Sequence, residues 1–277
     1  MTAHEALGQR DKEDDLSGEE SVPAGTPRSV VDRALIVLGT FQNRRERQTL
    51  SEISRRANLP IATCYRIVQQ FTAWGALEKG ADGRYSVGLR LWEVASFAPR
   101  PTSLQYIARP HIEELFKTTG FAAHLAIRQG LELVTIERFH PGRRPERGPT
   151  VGGRSPMHAS AIGQVLLAYA PITVREQILS AGLKRFTSRT PSTRAELEAV
   201  LDHVVRVGYA ISDGQVIETV CSVAVPLMGY RDTPVGAISL AFEDRNVVET
   251  TQVDKLRIAA ARLSKALREV RYEGLTE

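Results

Sequence analysis

Cysteine is scarce in this chain of 277 residues: Cys64 and Cys221 are the two it has. That excludes a disulfide framework and a thiolate zinc site. Histidine is sparse as well. His4, His111, His124, His140, His158 and His203 never pair at metal-ligand spacing on one helix, so neither a metal nor any other cofactor is expected. No apolar run approaches the ~20 residues that a bilayer-spanning helix needs, and the N-terminus has no signal-peptide core. A cytoplasmic protein without membrane contact is the expectation. There is no phosphate-binding loop and no Ser/Cys–His–Asp set at a recognisable spacing, which points away from an enzyme.

The chain has 42% hydrophobic and 25% charged residues, the proportions of a globular protein. Its length suits one large domain or two ordinary ones of roughly 100–200 residues. The net charge of +4 is unevenly spread. Residues 1–27 carry seven acids and two bases and show no apolar periodicity, so a disordered acidic tail is expected there. Residues 28–100 carry twelve bases and six acids, which marks them as the place for a polyanion.

That basic block has a definite order. A helix from Arg28 or Ser29 to about Phe41 sets Val31, Ala34, Leu35 and Leu38 on one stripe. After the loop QNRRERQ, the run Thr49 to Glu52 fits a capping box, and a short helix follows with Ile53 and Ala57 turned inward. A tight Asn-Leu-Pro turn then opens the stretch LPIATCYRIVQQF, where Cys64, Ile67, Val68 and Phe71 form one buried face. Its other face is small and polar, almost free of acid: Ala62, Thr63, Tyr65, Arg66 and Gln69. Two short strands, Ala76 to Lys79 and Arg84 to Val87, flank an Asp82-Gly83 turn. Three helices and a hairpin in this order make a winged helix-turn-helix, whose third helix enters the major groove of DNA. Arg66 and Gln69 have the geometry to pair with purine edges. Thr63, Tyr65, Arg44, Arg45 and Arg47 suit phosphates, and Arg84 at the hairpin suits backbone or minor groove. For any one arginine, including Arg55 and Arg56, a plain solvated face is an open alternative.

The segments SVVDRALIVLGTFQN, TLSEISRRANLPIATCYRIVQQFTAWGALEK and DGRYSVGLRLWEVA resemble the N-terminal domain of the IclR family of bacterial transcriptional regulators. One departure stands out. The family commonly has a basic or polar residue and then Ser-Thr at the start of its recognition helix, where this chain has Ile61-Ala62-Thr63. On this basis the DNA contacts are expected from Arg44, Arg45, Thr49, Ile61, Ala62, Thr63, Tyr65, Arg66, Gln69 and Arg84.

A helix through Leu89, Trp92 and Ala95 is expected to break at Ala98 to Pro101, followed by another from about Ser103 to Thr118. The expected division is a tail at 1–27, a winged helix-turn-helix at 28–88, a helical linker at 89–119, and a second domain at 120–277. The second domain reads as α+β: a hairpin FAAHLAIR/LELVTIERF, helices at MHASAIGQVLLAYA, PITVREQILSAG and TRAELEAVLDHVVRVG, a hairpin CSVAVPLMG/PVGAISLAFE, and a helix from about Val247 to Tyr272. A helix start near His158 offers free N–H groups to an anion, and Cys221, Val223 and Val225 share one strand face. A ligand pocket between that helix start and the strands is expected.

GGRSPMHASAIGQVLLA, LEAVLDHVVRVGYAISDG and CSVAVPLMGYRDTPVGAISLAF resemble the GAF-like effector-binding domain of the same family. The resemblance implies that Met157, Ser160, Ala161, Asp213, Cys221 and Ser239 line an effector site. Ala241 stands where the family often has a second serine, which favours a less polar ligand, an aromatic or branched acid, over a two- or three-carbon acid. The implied protein is a homodimer or dimer of dimers that binds an approximately palindromic double-stranded operator under control of a small organic-acid or aromatic effector. Two other readings stand beside it. One is an enzyme with Cys221 or His158 as nucleophile or base; the other is a DNA-binding protein with a ligand-blind second domain.

Overall fold

A computed structural model describes residues 29–42, 47–142, 149–243 and 250–274, with backbone alone at 99–102 and 250. The expected acidic tail, Arg44, Arg45 and the start of the last helix near Val247 lie outside the described residues.

The N-terminal part is three helices and a hairpin: α1 (Val30–Gly39), α2 (Leu50–Ala57), α3 (Ile61–Trp74), β1 (Leu77–Lys79) and β2 (Tyr85–Val87). Ser29 caps α1 and Thr49 caps α2, each in a reciprocal box with the acid three residues on, Asp32 or Glu52. Asn58 takes the left-handed conformation (φ 49°) that turns α2 into α3, and Pro60 opens α3. Gly75, at φ 89°, ends α3. Gly88 then passes so close that a Cβ there would overlap the Gly75 carbonyl, which seats the hairpin on the end of α3. Val37, Ile53, Ala57, Cys64, Ile67, Val68, Leu77 and Tyr85 form the core. Gln48 exchanges backbone hydrogen bonds with Tyr85 (2.9 and 2.7 Å), a tie between the loop and the hairpin that periodicity does not announce.

Helix α4 (Leu89–Ser96) ends before the prolines, as expected, but α5 (Pro99–Thr119) starts earlier than Ser103. Pro99 occupies the first turn, where a missing N–H costs nothing. The proline pair therefore both separates the helices and begins the second one. Leu104, Ala108, Ile112 and Leu115 of α5 are buried in the larger core, so α5 packs with the second sheet along most of its length.

That sheet contains β3 (Ala122–Gln129), β4 (Glu132–Phe139), β5 (Arg154–Pro156), β6 (Ala210–Asp213), β7 (Cys221–Met228) and β8 (Pro234–Phe242). It is antiparallel throughout, in the order β5-β4-β3-β8-β7-β6. The short edge strands β5 and β6 were not expected as strands. One face packs against α5 and α9 (Thr250–Glu269) through Leu125, Val223, Val225, Leu227, Ile238, Leu240 and Phe242. The other carries α6 (Ala161–Ala168), α7 (Ile172–Ala181) and α8 (Arg194–Val207), with Ala126, Leu133, Ala224 and Ala237 beneath them. The whole is an α+β sensor-type sheet joined to a winged helix-turn-helix.

Candidate functional site

The outward face of α3 is Ile61, Ala62, Tyr65, Arg66 and Gln69, all exposed, with Thr63 half-buried at its margin. Cys64, Ile67 and Val68 face the core, so the 3.6-residue period divides the helix as expected. The first turn holds no acid and Pro60 gives no side-chain cap. A groove-entering helix is thereby left without like-charge repulsion toward phosphates.

Two expected DNA contacts also make bonds within the protein. The Thr49 hydroxyl accepts from the Glu52 N–H (3.2 Å) and donates to the Glu52 carboxylate (2.9 Å). The Thr49 backbone N–H, donating to the same carboxylate at 2.7 Å, and then the hydroxyl hold the Glu52 carboxyl below the usual carboxylate range. Arg84 turns back to the same carboxylate (3.2 Å) and to the Arg47 carbonyl (3.1 Å). Thr49 thus caps, and Arg84 ties the hairpin to α2, since a cation beside a carboxylate and a carbonyl gains more there than at an open tip. Arg47 pairs loosely with Asp82 at 3.5 Å and stays half-exposed.

In the second part, cross-strand partners share a face. His124 lies opposite both Ser239 and Arg138, Ser239 opposite Ala224, and Ser222 opposite Ala241 and Ser212. These residues stand on the α6 side, where Ala224 packs. The α6 face is therefore apolar at one end and polar at the other. His124 is 7% exposed and Ser239 4% exposed, so an imidazole and a hydroxyl face each other across two strands with little access to solvent. Polar groups set in a mostly apolar surface are what orient a bound ligand. Burial, then the nearby charges of Arg138 and His140, lowers the His124 pKa to about 3, so the ring is neutral. Burial also lowers that of Arg138.

The start of α6 is fixed over this end. Ser160 caps it, accepting from the Gly163 N–H at 3.2 Å, and Ser212 donates to the Ala159 carbonyl at 2.9 Å. Ala161 and Met157 are buried in the α6 core, and Asp213 pairs with Arg189 at 2.9 Å. Asp213 stands opposite Cys221, and Cys221 falls on the other face of the sheet. It pairs in register with Phe242, whose ring belongs to the α5/α9 core, and it shares its strand face with Val223 and Val225. It thus points away from α6, whereas Ser222 points toward it. The odd-numbered face of β7 could not bound a pocket under α6, because strand parity sends neighbours to opposite sides. On the α6 side the sheet thus presents Ser239, His124, Ser222 and Arg138, with Ser160 and Ala161 at the start of the helix. The signal for His124 was a lone imidazole in the apolar run FAAHLAI; for Ser222 it was the other parity of β7. His158, the suggested catalytic base, bonds the Lys184 carbonyl through Nε2 at 2.8 Å.

The family model for the IclR helix-turn-helix domain matches residues 30–81, and that for the bacterial transcriptional regulator IclR C-terminal domain matches 100–268. The chain belongs to the IclR family. This IclR-family protein is a DNA-binding transcriptional regulator modulated by a small-molecule ligand. It is 28% identical to the HTH-type transcriptional regulator XynR of Escherichia coli K12, covering 86% of this chain and 96% of that one. The glycerol operon regulatory protein of Streptomyces coelicolor is 30% identical, over 76% of this chain and 83% of its own. Among solved structures, an IclR homolog from Microbacterium hydrocarbonoxydans complexed with 4-hydroxybenzoate superposes with a TM-score of 0.78 at 34% identity, covering 87% of this chain and 100% of that one. Among the described residues no helix is long and apolar enough to cross a membrane.

Proposed function

We propose that this regulator is a cytoplasmic homodimer, or dimer of dimers, that holds an approximately palindromic operator and releases or tightens it when an aromatic or branched organic acid binds the second domain. The observation that carries the ligand reading is the buried polar pair His124 and Ser239, opposite each other on the α6-side face. A neutral imidazole and a hydroxyl suit a ligand hydroxyl or carbonyl, and Arg138 and the N–H groups at the start of α6 suit its carboxylate. Ala241 and Ala122, paired on the same face, are small and apolar, as a ring's neighbours would be. The 4-hydroxybenzoate complex of the Microbacterium homolog supports this class of ligand.

Support for self-association comes from apolar side chains left in the open. Val30, Val31 and Leu35 of α1 are exposed, as are Trp92 of α4 and Phe97 after it. A second copy covering them would set two α3 helices at the spacing of two half-sites. Since α5 packs on the sheet, the linker of this reading narrows to α4 and the break at 97–98. A ligand shifts the DNA-bound population only by its unequal affinity for the two states.

The test is calorimetric titration of the full chain with 4-hydroxybenzoate and a panel of aromatic and branched acids, with operator footprints alongside. Saturable binding that changes the footprint is expected, and binding by none of the panel with an unaltered footprint would defeat the ligand assignment. In the same footprints Arg66→Ala should cost about 1–3 kcal/mol on the specific site and much less on random duplex. Equal weakening on both would leave Arg66 as a phosphate contact.

A further inference from the structure

The leading end of α3 carries side chains that make no side-chain hydrogen bonds. Ile61 is 52% exposed and Ala62 stands exposed beside it, whereas Leu59, just before the helix, packs against the core. From this helix the buried core takes Cys64, Ile67 and Val68, so neither Ile61 nor Ala62 is part of it. One turn on from Ile61, the Tyr65 ring is 51% exposed on the same stripe. In a helix-turn-helix, the N-terminal residues of the second helix meet the base edges. Here those residues offer methyl groups.

On the major-groove edges of the four base pairs, the apolar group is the C5-methyl of thymine; the other positions facing the groove are mostly donors or acceptors. An isoleucine laid over a purine N7 or O6 removes water without replacing its hydrogen bond. The same side chain over a thymine methyl buries apolar surface against apolar surface. Preference and exclusion therefore act in one direction. We propose that Ile61 and Ala62 are specificity-determining residues that select thymine at fixed positions of each operator half-site through methyl contact. This rests on the reading of α3 as the recognition helix and adds which bases its leading end accepts.

The full chain is used to select sites from a random duplex pool, and each thymine of the best site is then replaced in turn by deoxyuridine, which lacks the methyl alone. One or two replacements per half-site are expected to weaken binding about fourfold each, the effect of one buried methyl group. Ile61→Ala should abolish the penalty at its own position and weaken binding to the unmodified site by a similar factor. Unchanged affinity of Ile61→Ala for random duplex shows that the variant remains folded. A selected site whose deoxyuridine forms all bind like the parent overturns the proposal while leaving the DNA-binding reading intact. So does a methyl penalty that both Ile61→Ala and Ala62→Ser leave untouched. Selection of no site overturns both.

Discussion

Ser239 and Leu240 are neighbours on β8 and face opposite sides of the same sheet. On the Leu240 side, Val223, Val225, Leu227, Ile238 and Phe242 meet α5 and α9 in a continuous apolar layer. On the Ser239 side the apolar layer stops part-way, and His124, Ser222 and Arg138 take over under the start of α6. One face is built for stability. The other gives up packing to bring hydrogen-bonding groups together, the usual arrangement of a site whose partner arrives later.

Substitutions on the two faces should therefore behave differently. Leu240→Ala is expected to cost about 2–5 kcal/mol in urea unfolding, because a fully buried side chain leaves a cavity between the sheet and its two helices. A cost as small as that of a surface change would mean that the layer is not continuous.

His124 should bring a pH dependence that the other face lacks. Its folded pKa lies near 3, below the ordinary 6.5, so the unfolded chain takes up the proton first. The contribution is complete above about pH 6.5 and is lost as pH falls toward 3, which amounts to about 2 kcal/mol by pH 5. Unfolding measured from pH 7 to 5 should show this loss in the parent and a flatter profile in His124→Gln. Identical profiles would place the imidazole in water.

Ser239→Ala is expected to change stability least, within about 1 kcal/mol, since it removes one hydroxyl and leaves no cavity of note. Its effect should appear in the calorimetric response to aromatic acids instead. If Ser239→Ala and Leu240→Ala destabilise equally, the contrast between the faces disappears.

The same contrast separates what the amino-acid pattern revealed from what it concealed. On α3 one period decides both faces: Cys64, Ile67 and Val68 go inward, so Arg66 and Gln69 must go outward. The caps Ser29 and Thr49 were equally readable, because each uses an acid three residues away. Strand β7 gave no such decision. Both of its faces are covered, so alternation separates Cys221 from Ser222 without saying which one meets α6. Edge strands β5 and β6 are too short to show alternation at all. The bond from Arg84 to Glu52 was not readable, because its partner lies 32 residues away in sequence.

Local order was thus settled by the chain itself: helix faces, caps, the Asp82-Gly83 turn and the break before Pro99 all depend on residues within a few positions of one another. Which buried groups meet was settled by the tertiary structure. His124, Arg138, Ser222 and Ser239 come from four strands, and strand register with the side of the sheet taken by α6 brings them together. Those are long-range choices, and the periodicity of a single strand carries no information about them.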